Sequence, residues 1–517
     1  MRAQTRLIAV FKSVLYRRLL FFFVLLLCSR FALWAQPSNL LKATFKTEWS
    51  STENGSAKFW YARVIGQTEK GSFLLKSNLP LDSQEDQVGL RSRKNALVFY
   101  DPALTWKWEK QINTGNKNGH LDSVFVIGNN VLALYSGSSE DGNTFSLRME
   151  RIDLPPGNAS PANTLLELPR NKAATALPGL SSLSPNHQLL ALALRGNGAS
   201  LASIEQHTLM VGLCGADLQM KTRKELAVPA DLIEDPSAKL FLSNDSVIFI
   251  VGQIRSGQTN GFRIYRYDFR NEEAKSTFVE LVDRQIVGAQ CALDPVNSNL
   301  VIAGLYSNLS SQSAAGFFYT RVNTGNLSLS VNVSHPYSDD FLNQFIGEPK
   351  SSDKKELLNY TLANLVLRQD GGVVILAECR FQSEYAYYDF FTKTYVTRTV
   401  SHFDNITTMS LSADGTAEWA KNIDKKQDSQ EDDGYYLSYA PIVTNQQIQL
   451  LFNKPDDKFN SILLYSISST GEISTSLFAD YSDNATLIPK GSRQVAISAA
   501  LFPVFRKNRF YLVRANF

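Results

Sequence analysis

Apolar runs launched from short polar turns recur along this chain. SPNHQLLALAL, from Ser184 to Leu194, is one of them. Others are GSFLLKS at Gly71, NNVLALYS at Asn129, DSVIFIVG at Asp245, SNLVIAGL at Ser298, GGVVILAE at Gly371, QQIQLLFN at Gln446 and NRFYLVRA at Asn508. Each is a turn residue or two followed by an almost continuous, β-rich apolar stretch. That pattern marks a strand buried on both faces, because a half-exposed strand would alternate.

The first apolar residues of these runs are Phe73, Val131, Leu189, Val247, Leu300, Val373, Ile448 and Phe510. They stand 58, 58, 58, 53, 73, 75 and 62 residues apart. A near-constant period of this size signals a repeat architecture, one supersecondary unit per period. The units share more than the anchor run. A strand and turn precede it, as in DSVFVIGNN (Asp122–Asn130), AKLFLSND (Ala238–Asp245) and TLANLVLRQDGG (Thr361–Gly372). An alternating strand follows, such as FSLRMERIDL (Phe145–Leu154) or FRIYRYDF (Phe262–Phe269). A last strand closes the unit: WKWEKQI (Trp106–Ile112), TFVELV (Thr277–Val282), EWAKNI (Glu418–Ile423). No stretch after the N-terminal segment shows capped, sustained helical periodicity.

The expected fold is therefore all-β, a β-propeller of four-stranded antiparallel blades in which each anchor run is an inner strand. Seven full units plus one composite give eight blades, with seven the alternative if the weak first unit is misread. The composite blade joins the last anchor run, which ends at Phe517, to a lone N-terminal strand, Leu40–Trp49. Their pairing would close the ring and cover an open edge.

The N-terminus changes the reading of charge. Residues 1–18 carry Arg2, Arg6, Lys12, Arg17 and Arg18 and no acid; LLFFFVLLL (Leu19–Leu27) and SRFALWAQ follow. A basic start, a short apolar core and a small residue near the end describe a secretory signal peptide, and the core is shorter than the about 20 residues of a membrane span. Cleavage is expected after Ala35, leaving one propeller domain over residues 36–517. Cys28 offers a rival, a lipid-modified N-terminus, but Leu27 stands where such sites take a small residue. The whole chain holds 52 basic and 49 acidic residues; losing the six basic residues of the first 35 leaves 46 against 49. No basic field remains to attract nucleic acid. Cys214, Cys291 and Cys379 lie far apart without a CxxC, which is neither a disulfide framework nor a zinc pattern.

Two closing strands share a motif, Trp108-Glu109-Lys110 and Trp419-Ala420-Lys421, the second within SLSADGTAEWAKNI (Ser410–Ile423). The Asp-Gly turn followed by W-x-K resembles the repeats of secreted, largely uncharacterised β-propeller proteins of Bacteroidetes, most specifically over residues 361–502. That resemblance implies a binding or scaffolding role at the cell envelope and supplies no catalytic residues.

Chemistry is sparse. The two longest insertions are Ser334–Tyr360, a polar connection between units, and Arg380–Asp404, within one unit. The second holds Tyr385, Tyr387, Tyr388, Phe390, Phe391 and Tyr395, a concentration of aromatics suited to a ligand or partner surface. Asp428, Glu431, Asp432 and Asp433 before Gly434 form a weak calcium candidate, lacking the alternating oxygen spacing and distant bidentate glutamate of such loops. The histidines at 120, 187, 207, 335 and 402 show no zinc spacing, and no nucleophile elbow, P-loop or dinucleotide fingerprint occurs. No cofactor is implied. The expected function is a non-catalytic envelope module, periplasmic, outer-membrane associated or secreted, engaging a protein or glycan through its loop-bearing face. A glycan-acting hydrolase or lyase, with carboxylates from separate blades meeting centrally, and a structural subunit of an envelope complex are the alternatives.

Overall fold

The computed structural model describes residues 46–517 apart from 53–60, 80–93, 113–118, 140–141, 153–162, 170–178, 197–205, 216, 218, 257–258, 282–283, 309–312, 346–355, 431, 456–459, 480–484 and 507–508. The signal segment and Cys28 lie outside them. Strand dominates the described residues; the helical pieces are single turns at Ala230–Glu234, Asp339–Leu342 and Pro489–Gly491.

Eight antiparallel sheets of four or more strands follow one another along the chain. The third is representative: Leu180–Leu183, Leu189–Gly196, Gln206–Gly215 and Met220–Pro229 pair in sequence order. The sixth has Tyr360–Leu367, Val373–Asp389, Thr394–Leu411 and Ala417–Ile423. In the eighth, Ala485–Leu487 and Arg493–Ala496 both pair with Ala499–Arg506, followed by Arg509–Asn516 and, last, Lys46–Trp49 from the other end of the chain.

The anchor runs are apolar because each packs against two sheets at once. In the third sheet, Leu189, Ala191 and Ala193 join a core shared with the fourth sheet. The intervening Leu190, Leu192 and Leu194 join a core shared with the second. Val247 and Phe249 likewise face the fifth sheet while Ile248 and Ile250 face the third. A strand alternates faces with period two, so a strand sandwiched between sheets needs apolar residues at both parities. Full burial of one such side chain contributes about 1.5–3 kcal/mol.

The turn before the anchor is equally regular. Gly128, His187, Ser246, Ser298 and Gly371 all have positive φ, between 53° and 84°, immediately before or within three residues of the anchor. Within SPNH, the Ser184 hydroxyl donates to Asn186 Oδ1 at 2.7 Å and accepts from Leu189 N at 3.0 Å. The side chains thus satisfy backbone groups that a tight turn leaves open.

Successive sheets are in contact, and the eighth packs on the first strand of the first sheet, Tyr61–Thr68. Arg493 Nη1 donates to Ile65 O at 2.5 Å across that junction. The sheets therefore close into a ring. The first strands of most neighbouring sheets approach one another, whereas fourth strands such as Met220–Pro229 and Glu273–Glu280 alternate with solvent or lie largely in it. The anchor run is the second strand of each of the first seven sheets, as the sequence order of the units implies, and the strand before it is innermost. One correction concerns the composite unit. Phe510 lies in the third strand of its sheet, and Ala499–Arg506 takes the anchor place. Lys46–Trp49 supplies the outermost strand, with Lys46 opposite Asn516 and Trp49 opposite Val513.

Candidate functional site

First strands run away from, and second strands toward, the end of the ring that carries the connections between sheets. The sixth sheet is unusual there. Its second and third strands, Val373–Asp389 and Thr394–Leu411, pair far past the sheet as a two-stranded arm. The segment read as a loop in the sequence is thus an extension of the sheet itself. Its Tyr, Phe, Val and Thr content suits extended backbone. The arm leaves the sheet at a bulge: Glu378 pairs with Ile406 but Arg380 with Phe403, so Cys379 opposes both Asp404 and Asn405. Bulges of this kind bend a strand and re-aim its outer part.

At the tip, Asp389 Oδ1 accepts from Phe391 N at 2.8 Å and Thr392 N at 3.4 Å, and Lys393 takes φ 55°. The Phe391 N–H holds this carboxyl below its ordinary value. The turn leaves Phe390 82 % and Phe391 99 % exposed. The six aromatics do not form one surface. Tyr388 and Tyr395 face each other across the strands at 5.3 Å, with Phe390 5.2 Å from Tyr388. Tyr385 and Tyr387 occupy the opposite face, 6.2 Å apart, because strand side chains alternate. There Arg398 Nε donates to the Tyr387 hydroxyl at 3.2 Å and its guanidinium lies 5.1 Å over the ring; Tyr385 donates to Gln430 Oε1 at 3.2 Å. Of eight exposed large hydrophobic side chains among the described residues, five belong to the arm: Tyr385, Tyr388, Phe390, Phe391 and Tyr395.

Beneath the arm lies a buried polar network that the sequence reading missed. Glu378 is fully buried; Arg380 Nε and Ser438 Oγ both donate to its Oε2 at 2.7 Å, and Lys425 Nζ stands 3.0 Å from Oε1. Lys425 also donates to Phe403 O and, at 2.8 Å, to Gln427 Oε1. Gln427 Nε2 donates to Asn453 O at 2.5 Å, and Asn453 bonds Leu487 through both N–H and C=O. Burial holds the Lys425 ammonium below its ordinary value against the opposing pull of Glu378. The chain ties the arm root to the seventh and eighth sheets. Its one sequence signal was Glu378 itself, a lone carboxylate ending the apolar run VVILAE.

The acidic segment is part of the same support. Asp428–Gln430 pairs with His402–Val400 of the arm. Asp432 Oδ1 accepts from Ser429 Oγ at 2.5 Å and Gly434 N at 3.0 Å, closing a turn. Asp433 has φ 53°, and Glu431 lies outside the described residues. No group of three or more metal-ligating side chains gathers among the described residues. Past the turn, Tyr435 reaches the first sheet, its hydroxyl donating to Ala62 O at 3.2 Å. The connection from sheet six therefore bends inward across the ring end.

The other insertion is only partly described. Tyr337, Phe341, Phe345 and Tyr360 there are buried in the core between the fifth and sixth sheets. Glu356, also buried, accepts from Ser307 Oγ at 2.9 Å, Asn308 N at 3.0 Å and Ser313 Oγ. The histidines stay separate: His187 forms a turn, His335 Nε2 lies 2.6 Å from Gly415 O, and His402 stacks on Phe381 at 4.5 Å. Cys214, Cys291 and Cys379 are free thiols.

Four-stranded antiparallel sheets succeeding one another in a ring, closed by N-terminal strand addition, define a β-propeller. No protein-family model matches the chain, and no curated protein matches it. Among solved structures, a polysaccharide lyase is similar at 8% identity, covering 92% of this chain and 99% of that one with a TM-score of 0.38. The WD40 domain of SCAP from fission yeast is similar at 9% identity, covering 91% and 98% with a TM-score of 0.37. The β-propeller domain of the Trilobed protease from Pyrococcus furiosus is similar at 9% identity, covering 82% and 98% with a TM-score of 0.35. Strand order and ring closure define the fold. No helix among the described residues is long and apolar enough to cross a membrane.

Proposed function

We propose that this protein is a non-catalytic, eight-bladed propeller that engages a cell-envelope protein or glycan through the arm of its sixth blade. Its basic, apolar N-terminal segment would export it, leaving it periplasmic, associated with the outer membrane or secreted, as in the Bacteroidetes propellers its W-x-K turn resembles. The carrying observation is the concentration of exposed aromatic side chains on a paired ribbon whose root is locked by buried ion pairs. The exposed group of Tyr388, Phe390 and Tyr395 on one face of the arm is the kind of apolar patch that marks an interaction site, and a rigid mount lowers the entropy lost on binding.

The innermost strands support binding over catalysis. Among the described residues, Asp122 and Asp294 are their only carboxylates. Asp294 accepts from Val296 N and Asn297 N, each at 3.1 Å, and Asp122 accepts from Ser136 Oγ at 2.8 Å. Most glycoside hydrolases use two carboxylates flanking the scissile bond.

The test is affinity capture from solubilised envelope with the chain from Gln36, read by mass spectrometry. The control replaces 384–399 with Asn-Gly, joining the paired Ser383 and Val400, which spares Arg380 and Phe403. A partner lost only in the shortened-arm control supports the proposal; equal capture by both forms counts against it.

A further inference from the structure

The sixth and seventh sheets meet differently from the other neighbours. At the arm end the Gln427–Asn453 bond joins them. At the opposite end a cavity of about 780 Å³ opens beside them, bounded on a further side by residues 494–497 of the eighth sheet. Every other successive pair brings its strands into closer backbone approach than this pair does among the described residues. The volume falls within the about 300–1,000 Å³ of small-ligand sites.

One wall is apolar and rigid. Trp419 Nε1 donates to Ser469 O at 2.9 Å, and a Cβ at Gly471, φ 79°, would stand 2.7 Å from the indole. The rim carries Gln369 from the sixth sheet and Asn445 and Gln446 from the seventh. All three are exposed, and their side-chain amides engage no protein group among the described residues. The one cation here is more than balanced: Arg368 donates to Asp370 Oδ2 at 2.5 Å, to Ser410 Oγ at 2.8 Å and to Glu418, leaving the group with a net charge of −1.

We propose that this cleft binds a neutral oligosaccharide. A side-chain amide both donates and accepts, as does a sugar hydroxyl, so amides from two sheets match a ring edge without a charge. The apolar wall, with Trp419 held in place, suits the C–H face of a pyranose. A cancelled guanidinium offers no net attraction to a polyanion. The proposal is independent of the arm, which lies at the other end of the ring.

The experiment is isothermal titration of the chain from Gln36 with cellohexaose, laminarihexaose, mannohexaose, chitohexaose and a hexauronate. We expect saturable binding of at least one neutral hexasaccharide. Asn445→Ala with Gln446→Ala should weaken it tenfold or more at unchanged melting temperature, and the shortened-arm form should bind as before. The proposal is overturned if no neutral hexasaccharide binds at millimolar concentration. It is also overturned if the hexauronate alone binds, or if the double substitution leaves binding intact.

Discussion

The backbone N–H of Asn186 donates to the side-chain oxygen of Asn244 at 3.0 Å, and the two residues are 58 positions apart. They hold the same place in consecutive repeats, so the sequence period becomes a hydrogen bond between neighbouring sheets. Arg266 Nε donates to Thr324 O, a second bond between neighbouring sheets, the fourth and fifth. Spacing in the chain is thus spacing around the ring.

Asp122 should make stability fall with rising pH. Burial pushes its carboxyl up to about 7, partly offset by the Ser136 hydroxyl. The folded value lies above the unfolded one, so the native state keeps a proton that the unfolded chain has released. This contribution is complete below about pH 4 and is lost as pH rises toward 7, amounting to about 2–4 kcal/mol. Urea titrations at pH 5 and pH 8 should show that loss in the parent and a smaller one in Asp122→Asn. Parallel pH profiles would remove Asp122 as the source.

Glu378→Gln should destabilise by about 3–5 kcal/mol, since it leaves Lys425 and Arg380 without their shared carboxylate in a buried site. Lys425→Met should cost less, because Arg380 still pairs with Glu378. The combined variant should be more stable than the sum of the two losses predicts. A double-mutant cycle by chemical denaturation measures that coupling, and strict additivity would argue against a cooperative arm root.

Gly471→Ala meets two penalties together. A non-glycine residue at this positive φ is strained by about 1–2 kcal/mol, and its Cβ would press on Trp419. A loss of about 2–3 kcal/mol is expected, with a change in tryptophan emission that reports the displaced indole. The same loss without any spectral change would place the effect in the turn alone.

Removing residues through Ser50 should open the ring. Arg509–Asn516 would lose its partner strand, the ion pair between Arg514 and Glu48 at 3.3 Å, and the bond from Leu512 N to Ser50 Oγ at 3.0 Å. An exposed edge recruits other strands. Lower melting temperature and oligomers on size exclusion are the expected result; a monomer of parent stability would show that closure adds nothing.

Phe390→Ser with Phe391→Ser should leave stability within about 0.5 kcal/mol, since both rings stand in solvent. Partner capture should fall. Calorimetry and the envelope capture assay separate the two effects.

The repeated anchor runs were legible because their cause is local in sequence. A strand packed on both sides must be apolar at both parities, and the turn before it must satisfy its own backbone. Ser184 and Asn186 do so within six residues of Leu189. Ring closure by the N-terminal strand was legible for the same reason, an incomplete last unit facing an unpaired first strand. Other features depended on contacts remote in the chain. Which edge of each sheet faces its neighbours is one of them, since it is fixed by packing against sheets about 60 residues away in the chain. The arm aromatics divided between two faces once 380–404 continued the pleat of the sixth sheet instead of looping free. Glu378 and Lys425, 47 positions apart, form a pair only after the connection beyond the sixth sheet folds inward over the arm root. The cleft is lined by residues of the sixth, seventh and eighth sheets, which only the closed ring brings together. Local patterning sets which segments are strands and which side chains must be covered; long-range packing decides what meets at the ends of the ring, where the candidate sites lie.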